Sequence, residues 1–220
     1  ICDEIQKYIF LKDWDGLAEE EKTNLKNITY AMDDVTAQEA IASLSNYLSR
    51  YYGKNVIILL DEYDTPMQEA YVNGYWEELV SFTRSFFNAT FKSNMYLERA
   101  MMTGITRVSK ESMFSDLNNL VVITTSSKDY ATAFGFTEEE VFHALDEYGL
   151  SDKKCDVKEW YDGFTFGSQR DIYNPWSIIN FLENKKIDTY WADTSSNSLI
   201  NHLIKKSVPE IKELMELLLK

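Results

Sequence analysis

Cysteine is scarce in this 220-residue chain: Cys2 and Cys155 are the only two, far apart and in no C-x-x-C pair. That excludes a disulfide framework and a zinc ribbon, and fits a reducing, cytoplasmic setting. Positive charge is also short. The 22 Lys and Arg face 36 Asp and Glu, giving a net charge of −14 and a pI near 4.6. Broad gripping of phosphate backbones needs the opposite balance, so strong nucleic-acid binding is not expected. No apolar run approaches the ~20 residues that cross a bilayer, and no membrane role is expected. The first residues, Ile1-Cys2-Asp3-Glu4, lack a methionine, a basic n-region and a signal-peptide h-region, so the chain is expected to be the interior of a longer protein. With three prolines, no internal repeat and no Gly/Ser linker, nothing in the composition divides the chain.

What is present suffices for a core. Hydrophobic residues make up 45% and aromatics 14%, which excludes intrinsic disorder. The length fits one α/β domain with a small accessory module, or two small domains. The first thirty residues read as polar and helical, with Leu25, Ile28 and Met32 as a thin apolar stripe. A stronger helix follows, with Thr36 and Glu39 as a capping box, Ala37, Ala40, Ile41, Leu44, Tyr47, Leu48 and Tyr51 at helical spacing, and Gly53 at its end.

The continuous apolar run Val56-Ile57-Ile58-Leu59-Leu60 predicts a strand buried on both faces, as in a parallel sheet covered by helices. Trp76 to Phe87 predicts a helix, Leu97 to Thr103 a second strand and Leu120 to Thr125 a third, the βαβ rhythm of a doubly wound sheet. Beyond about residue 130 the rhythm turns helical. Thr137 and Glu140 form a capping box, Asn174-Pro175 heads another helix, and two more carry Leu199 to Ile204 and Ile211 to Leu218. Phe164 to Tyr173 fits a hairpin. The expected division is therefore an α/β core over residues 1–130 and a mostly helical module over 131–220.

The sharpest chemical signal is Asp61-Glu62 at the end of the first strand, since ligands of open α/β sheets bind at the carboxyl ends of strands. There an Asp can help hold magnesium through water, and a neighbouring Glu can orient and activate the water that attacks a γ-phosphate. Taken alone, the pattern is equally an acidic strand end in solvent. Thr103 stands at the next strand's tip, where a γ-phosphate is sensed, and Arg107 follows four residues on. A capping hydroxyl and a surface ion pair are the plainer readings of those two. No G-x-x-x-x-G-K-[ST] is present. The only Gly-Lys pair, Gly53-Lys54, follows a helix and precedes a strand, the reverse of what a phosphate loop needs.

His143 and His202 are isolated and give no metal spacing. Glu20-Glu21-Lys22 and Glu183-Asn184-Lys185 match half of a nuclease motif but read as solvated helical charges. The aromatic stretches around Trp160, Trp176 and Trp191 read mainly as core and turn.

Several blocks together resemble the predicted AAA-ATPase-like proteins of bacteria: Asp61-Glu62-Tyr63-Asp64-Thr65-Pro66, Thr103 to Ser112, Leu117 to Leu120, Phe134 to Thr137, Trp160 to Phe164 and Tyr173 to Ser177. The resemblance runs in order along nearly the whole chain. It implies the later strands of a P-loop NTPase core, AAA/STAND-like, followed by a helical or winged lid, with a nuclease-like C-terminal domain in many members. It puts Asp61 and Glu62 at the Walker B positions, with Asp61 holding magnesium through water, Glu62 polarising the attacking water, Thr103 as sensor and Arg107 facing phosphate. The family's phosphate loop lies upstream, near an Arg-Arg-Phe-Gly-Lys segment. The expected activity is thus that of an ATP-driven switch for a partner or an appended nuclease-like domain. Mg-ATP would bind only in a protein that carries the upstream loop. Two other readings remain open: a non-enzymatic interaction scaffold on a degenerate core, and a metal-dependent nuclease using Asp61, Glu62 and Asp64.

Overall fold

A computed structural model describes residues 1–105, 114 and 117–191. The expected helices at 199–204 and 211–218, His202 and Arg107 lie outside these residues. The fold is mixed α/β, in two compact units, one holding Ile1–Leu120 and the other Val121–Ser198.

The first unit opens with α1 (Cys2–Gln6), a 3₁₀ turn (Ile9–Asp13), α2 (Glu19–Asn27) and α3 (Asp34–Tyr52). The N-terminal stripe is thicker than the sequence suggested: Ile5, Leu11, Leu17 and Leu25 join Ile28 and the buried face of α3, namely Ala40, Leu44 and Tyr47. Helix α3 starts earlier than the Thr36–Glu39 box implies. Asp33 is its N-cap and accepts a 2.8 Å hydrogen bond from the Thr36 amide. A carboxylate three residues upstream is favoured there over a hydroxyl, because it also meets the positive end of the helix dipole. That backbone hydrogen bond holds the Asp33 carboxyl below its usual range. Gly53, at φ 66, ends the helix as expected. Arg50 of α3 reaches back to α2, 2.6 Å from Glu21.

Strand β1 (Val56–Leu60) pairs in parallel with β2 (Leu97–Met102), Leu59 opposite Met101 and Leu60 opposite Met102. Between them lie α4 (Thr65–Asn73) and α5 (Trp76–Phe87). Val80 and Phe87 of α5 bury one side of a cluster that also takes Met67 of α4, Phe114 and Leu117, with Leu60 and Met102 packed on it. The opposite sheet face is bare: Ile57 is 63% exposed, Leu59 75% and Met101 49%. The expectation of a strand buried on both faces is corrected. A continuous apolar run shows what both faces prefer, and among the described residues only one face has a cover.

The third expected strand is also corrected. Residues 121–124 are irregular and Val121, Val122 and Ile123 are exposed. β-Branched residues favour a strand only where a neighbour accepts the ladder. The segment ends in a turn in which the Thr124 amide donates to Ser127 Oγ at 2.9 Å and the Gly167 amide donates to Thr125 O at 2.7 Å.

The second unit is a three-stranded antiparallel sheet ordered β3 (Phe136–Thr137), β5 (Gln169–Tyr173), β4 (Phe164–Phe166), with the expected hairpin joining β4 and β5. Helices α6 (Glu138–Glu147), α7 (Lys154–Tyr161) and α8 (Pro175–Asn184) bury Val141, Leu145, Val157, Ile178 and Phe181 around Tyr173. The Thr137–Glu140 box forms, and so does the Asn174 cap, which accepts from the Ser177 amide at 3.0 Å. Gly167, at φ 56, lies where a Cβ would stand 2.4 Å from Ser127 O.

The two kinds of apolar position should separate in denaturant titrations of this chain. Leu145→Ala, at a fully buried position, is expected to cost about 2–5 kcal/mol. Ile57→Ser and Leu59→Ser on the bare face should each cost less than about 0.5 kcal/mol. Equal losses at all three would mean that the β1–β2 face is covered.

Candidate functional site

Parallel strands end side by side, so the residues after β1 and β2 meet at one edge. The ladder continues past both ends: the Thr103 amide donates to Leu60 O and the Tyr63 amide to Thr103 O, both at 2.9 Å. Asp61 and Glu62 occupy the turn between them. Thr103 Oγ1 donates to Asp61 Oδ1, and the same oxygen accepts from the Glu62 amide at 3.0 Å. Glu62 has φ 51, a left-handed conformation that costs a non-glycine residue about 1–2 kcal/mol. The Thr65 amide, donating to Glu62 O at 3.1 Å, and Thr65 Oγ1, 3.4 Å from Glu62 Oε2, hold this turn. Both carboxylates are exposed. The structure thus brings Asp61, Glu62 and Thr103 together, while Arg107 lies outside the described residues.

The residue that sequence reasoning undervalued is Asp64. It is 1% exposed, sits at the N-cap position of α4, accepts from the Ile105 amide at 3.2 Å and from Gln68 Nε2 at 3.0 Å. One side chain thereby ties the loop after β2 to the start of α4. Gly104 makes room for it, since a Cβ there would lie 2.5 Å from Asp64 Oδ1 and 2.7 Å from the Tyr63 ring. An acidic residue directly before Thr-Pro is a helix-start signal, and that signal could have found it. Asp64 faces into the fold, away from a trio with Asp61 and Glu62. Among the described residues no group of three His, Cys, Asp or Glu side chains is arranged to hold a metal ion.

The family model described as predicted AAA-ATPase matches residues 6–114, a range that contains the whole strand edge. Over these residues the chain belongs to the predicted AAA-ATPase family. A similar curated protein is the uncharacterized protein in the vnfD 5′ region of Azotobacter chroococcum mcd 1, 27% identical over 169 residues. That alignment covers 74% of this chain and 32% of the relative, so the chain spans about a third of that protein's length. No solved structure matches.

Within the AAA-ATPase-like range the half-motif Glu20-Glu21-Lys22 lies on α2, where Glu21 is engaged by Arg50. Outside that range Glu183-Asn184-Lys185 ends α8, with Lys185 at φ 54, and His143 is exposed, 3.8 Å from Glu147. Glu183-Asn184-Lys185 is exposed, as the solvated reading expects, whereas Glu21 and Lys22 are part-buried, each in an ion pair.

The other concentration of titratable groups is in the second unit. Lys158 of α7 pairs with Glu138 of α6 and lies 3.8 Å from Asp171 of β5. Tyr173 Oη, fully buried, donates to Glu138 Oε2 at 3.3 Å. Burial, reinforced by the Asp162 and Glu138 carboxylates, pushes the Tyr173 phenol up. Burial also raises the Asp162 carboxyl, and Asp171 adds to the shift as hydrogen-bond partner and like charge, against a lowering pull from Lys158. A carboxyl raised on folding makes the folded state bind more protons than the unfolded one, so its contribution favours folding at low pH and falls as pH rises through the raised range. Asp162→Asn is therefore expected to raise the Tm at pH 7, with the gain over the native protein shrinking as pH falls through the carboxylate range. A gain constant from pH 4 to 8 would contradict this, as measured by calorimetry.

Proposed function

We propose that the chain carries the acidic strand edge of an ATP-hydrolysing P-loop core that acts as a switch for a partner or for an appended nuclease-like domain. The observation that carries this reading is the Thr103–Asp61 hydrogen bond between adjacent parallel strand ends, inside the range that matches the AAA-ATPase family. The residues fit the expected group in part. Asp61 has one oxygen held by Thr103 and the Glu62 amide, and its other oxygen has no hydrogen-bond partner among the described residues, which suits a magnesium-bound water. Magnesium, when bound, would offset phosphate charge there. Glu62 would orient the attacking water and accept its proton, and Thr103 would relay phosphate occupancy to Asp61 through the bond they share. Arg107 is proposed to face phosphate.

The part that does not fit is the cradle. These 220 residues hold no phosphate loop, and with a net charge of −14 a polyphosphate placed against two carboxylates alone would be repelled. The cradle is proposed to come from further chain of the same protein, which would also cover Ile57, Leu59 and Met101. The relative's greater length is consistent with that. On this reading residues 1–130 form the core and the helical remainder is its lid. The missing cradle equally favours a second reading, a scaffold in which the edge only shapes the fold.

In a longer natural protein that holds a phosphate loop, Glu62→Gln should keep Mg-ATP binding and lower turnover by about 100-fold or more, because an amide keeps the shape and accepts no proton. Turnover near that of the unsubstituted protein, in a phosphate-release assay, would remove Glu62 from the mechanism and favour the scaffold.

A further inference from the structure

We propose that β2 is a register switch, in which closing a one-residue bulge at Glu98 slides the strand along β1 and withdraws the Thr103 hydroxyl from Asp61. Val56 stands opposite Leu97, but Ile57 stands opposite Arg99, so Glu98 is surplus to the ladder. The Val56 amide, donating to Tyr96 O at 2.8 Å, pins the start of the strand. From that pinned start a regular ladder sets Met101, not Met102, opposite Leu60. Met102 then takes the place of Thr103 past the strand end, and a thioether has no proton to donate to Asp61.

A one-residue slip sends each side chain to the other face of the sheet, which forbids it in most half-buried strands. Here both registers suit both faces. Met102, packed on the cluster of Met67, Val80 and Phe87, is replaced there by Met101, a side chain of the same shape and flexibility. Met102 in turn reaches the face on which Leu59 and Met101 are already exposed. Arg99 takes the place of Ala100, which is exposed, so its guanidinium stays in water. Among the described residues β2 pairs with β1 alone, and no second ladder fixes its register. The bulged register is held at the strand end, by the Thr103 hydroxyl on Asp61 and the Ile105 amide on Asp64. The slip needs nothing from the nucleotide reading, so its failure would leave that reading standing.

The test is NMR of this chain labelled with ¹³C at the methionine methyls. The Met101 and Met102 methyls should exchange, at one common rate, with a minor state of about 1% or more, while Met32 in the N-terminal cluster does not share that rate. Thr103→Val, which keeps the shape and loses the hydroxyl, should raise the minor population about tenfold. Deletion of Glu98 removes the surplus residue and should abolish the exchange. A trap reads the same register without that deletion: Leu59→Cys with Ala100→Cys, in a Cys155→Ser background, should form a disulfide, since the slip alone brings the two positions to one face. No minor state at the 1% level, exchange that survives deletion of Glu98, an unchanged population in Thr103→Val, or no disulfide in the trap would each overturn the proposal.

Discussion

The β1–β2 ladder carries the whole candidate edge. Two parallel strands form a marginal sheet, since parallel pairing is stable mainly when helices cover both faces. Here one face rests on Met67, Val80, Phe87, Phe114 and Leu117, and on the other Ile57, Leu59 and Met101 have no cover among the described residues. The pair is extended beyond its strands by the Thr103 amide on Leu60 O and the Tyr63 amide on Thr103 O, and by the Thr103 hydroxyl on Asp61. Asp64 braces the same ends from below through Ile105 and Gln68. Without these bonds Asp61 and Glu62 would be two loop acids. With them, they hold a defined position beside Thr103.

The strained turn at Glu62 belongs to the same arrangement. Its left-handed backbone lets the Glu62 amide bond to Asp61 while Tyr63 rejoins the ladder. Strain of this kind persists only where the surroundings over-determine it, and here the Thr65 amide and hydroxyl do so. The second unit follows a different logic: Lys158 links Glu138 of α6 to Asp171 of β5, beneath the buried Tyr173. Its acids brace a small sheet and three helices.

Much of this was legible in the residues. The strand over Val56–Leu60, the capping box at Thr137, the cap at Asn174, the stop at Gly53 and the hairpin before Tyr173 all follow from local chemistry. So does the pairing of Asp61-Glu62 with Thr103, because neighbouring parallel strands place their carboxyl ends together. What failed depended on partners that local sequence does not encode. Among the described residues Val121 to Ile123 has strand-forming side chains but gains no ladder neighbour, and Ile57 and Leu59 have apolar side chains but no cover. Asp33 displaced Thr36 as the cap of α3 through charge rather than pattern. Asp64 was visible as one acid among three, and only its bonds to Ile105 and Gln68 show that it turns inward.

The central claim is that this edge is half of a nucleotide site whose phosphate cradle lies elsewhere in the protein. Calorimetric titration of Mg-ATP into the 220-residue chain, and into a longer natural protein that contains both it and a phosphate loop, tests that claim directly. The account predicts saturable binding to the longer protein and none to the chain alone. Binding to neither, or equally tight binding to both, would contradict it.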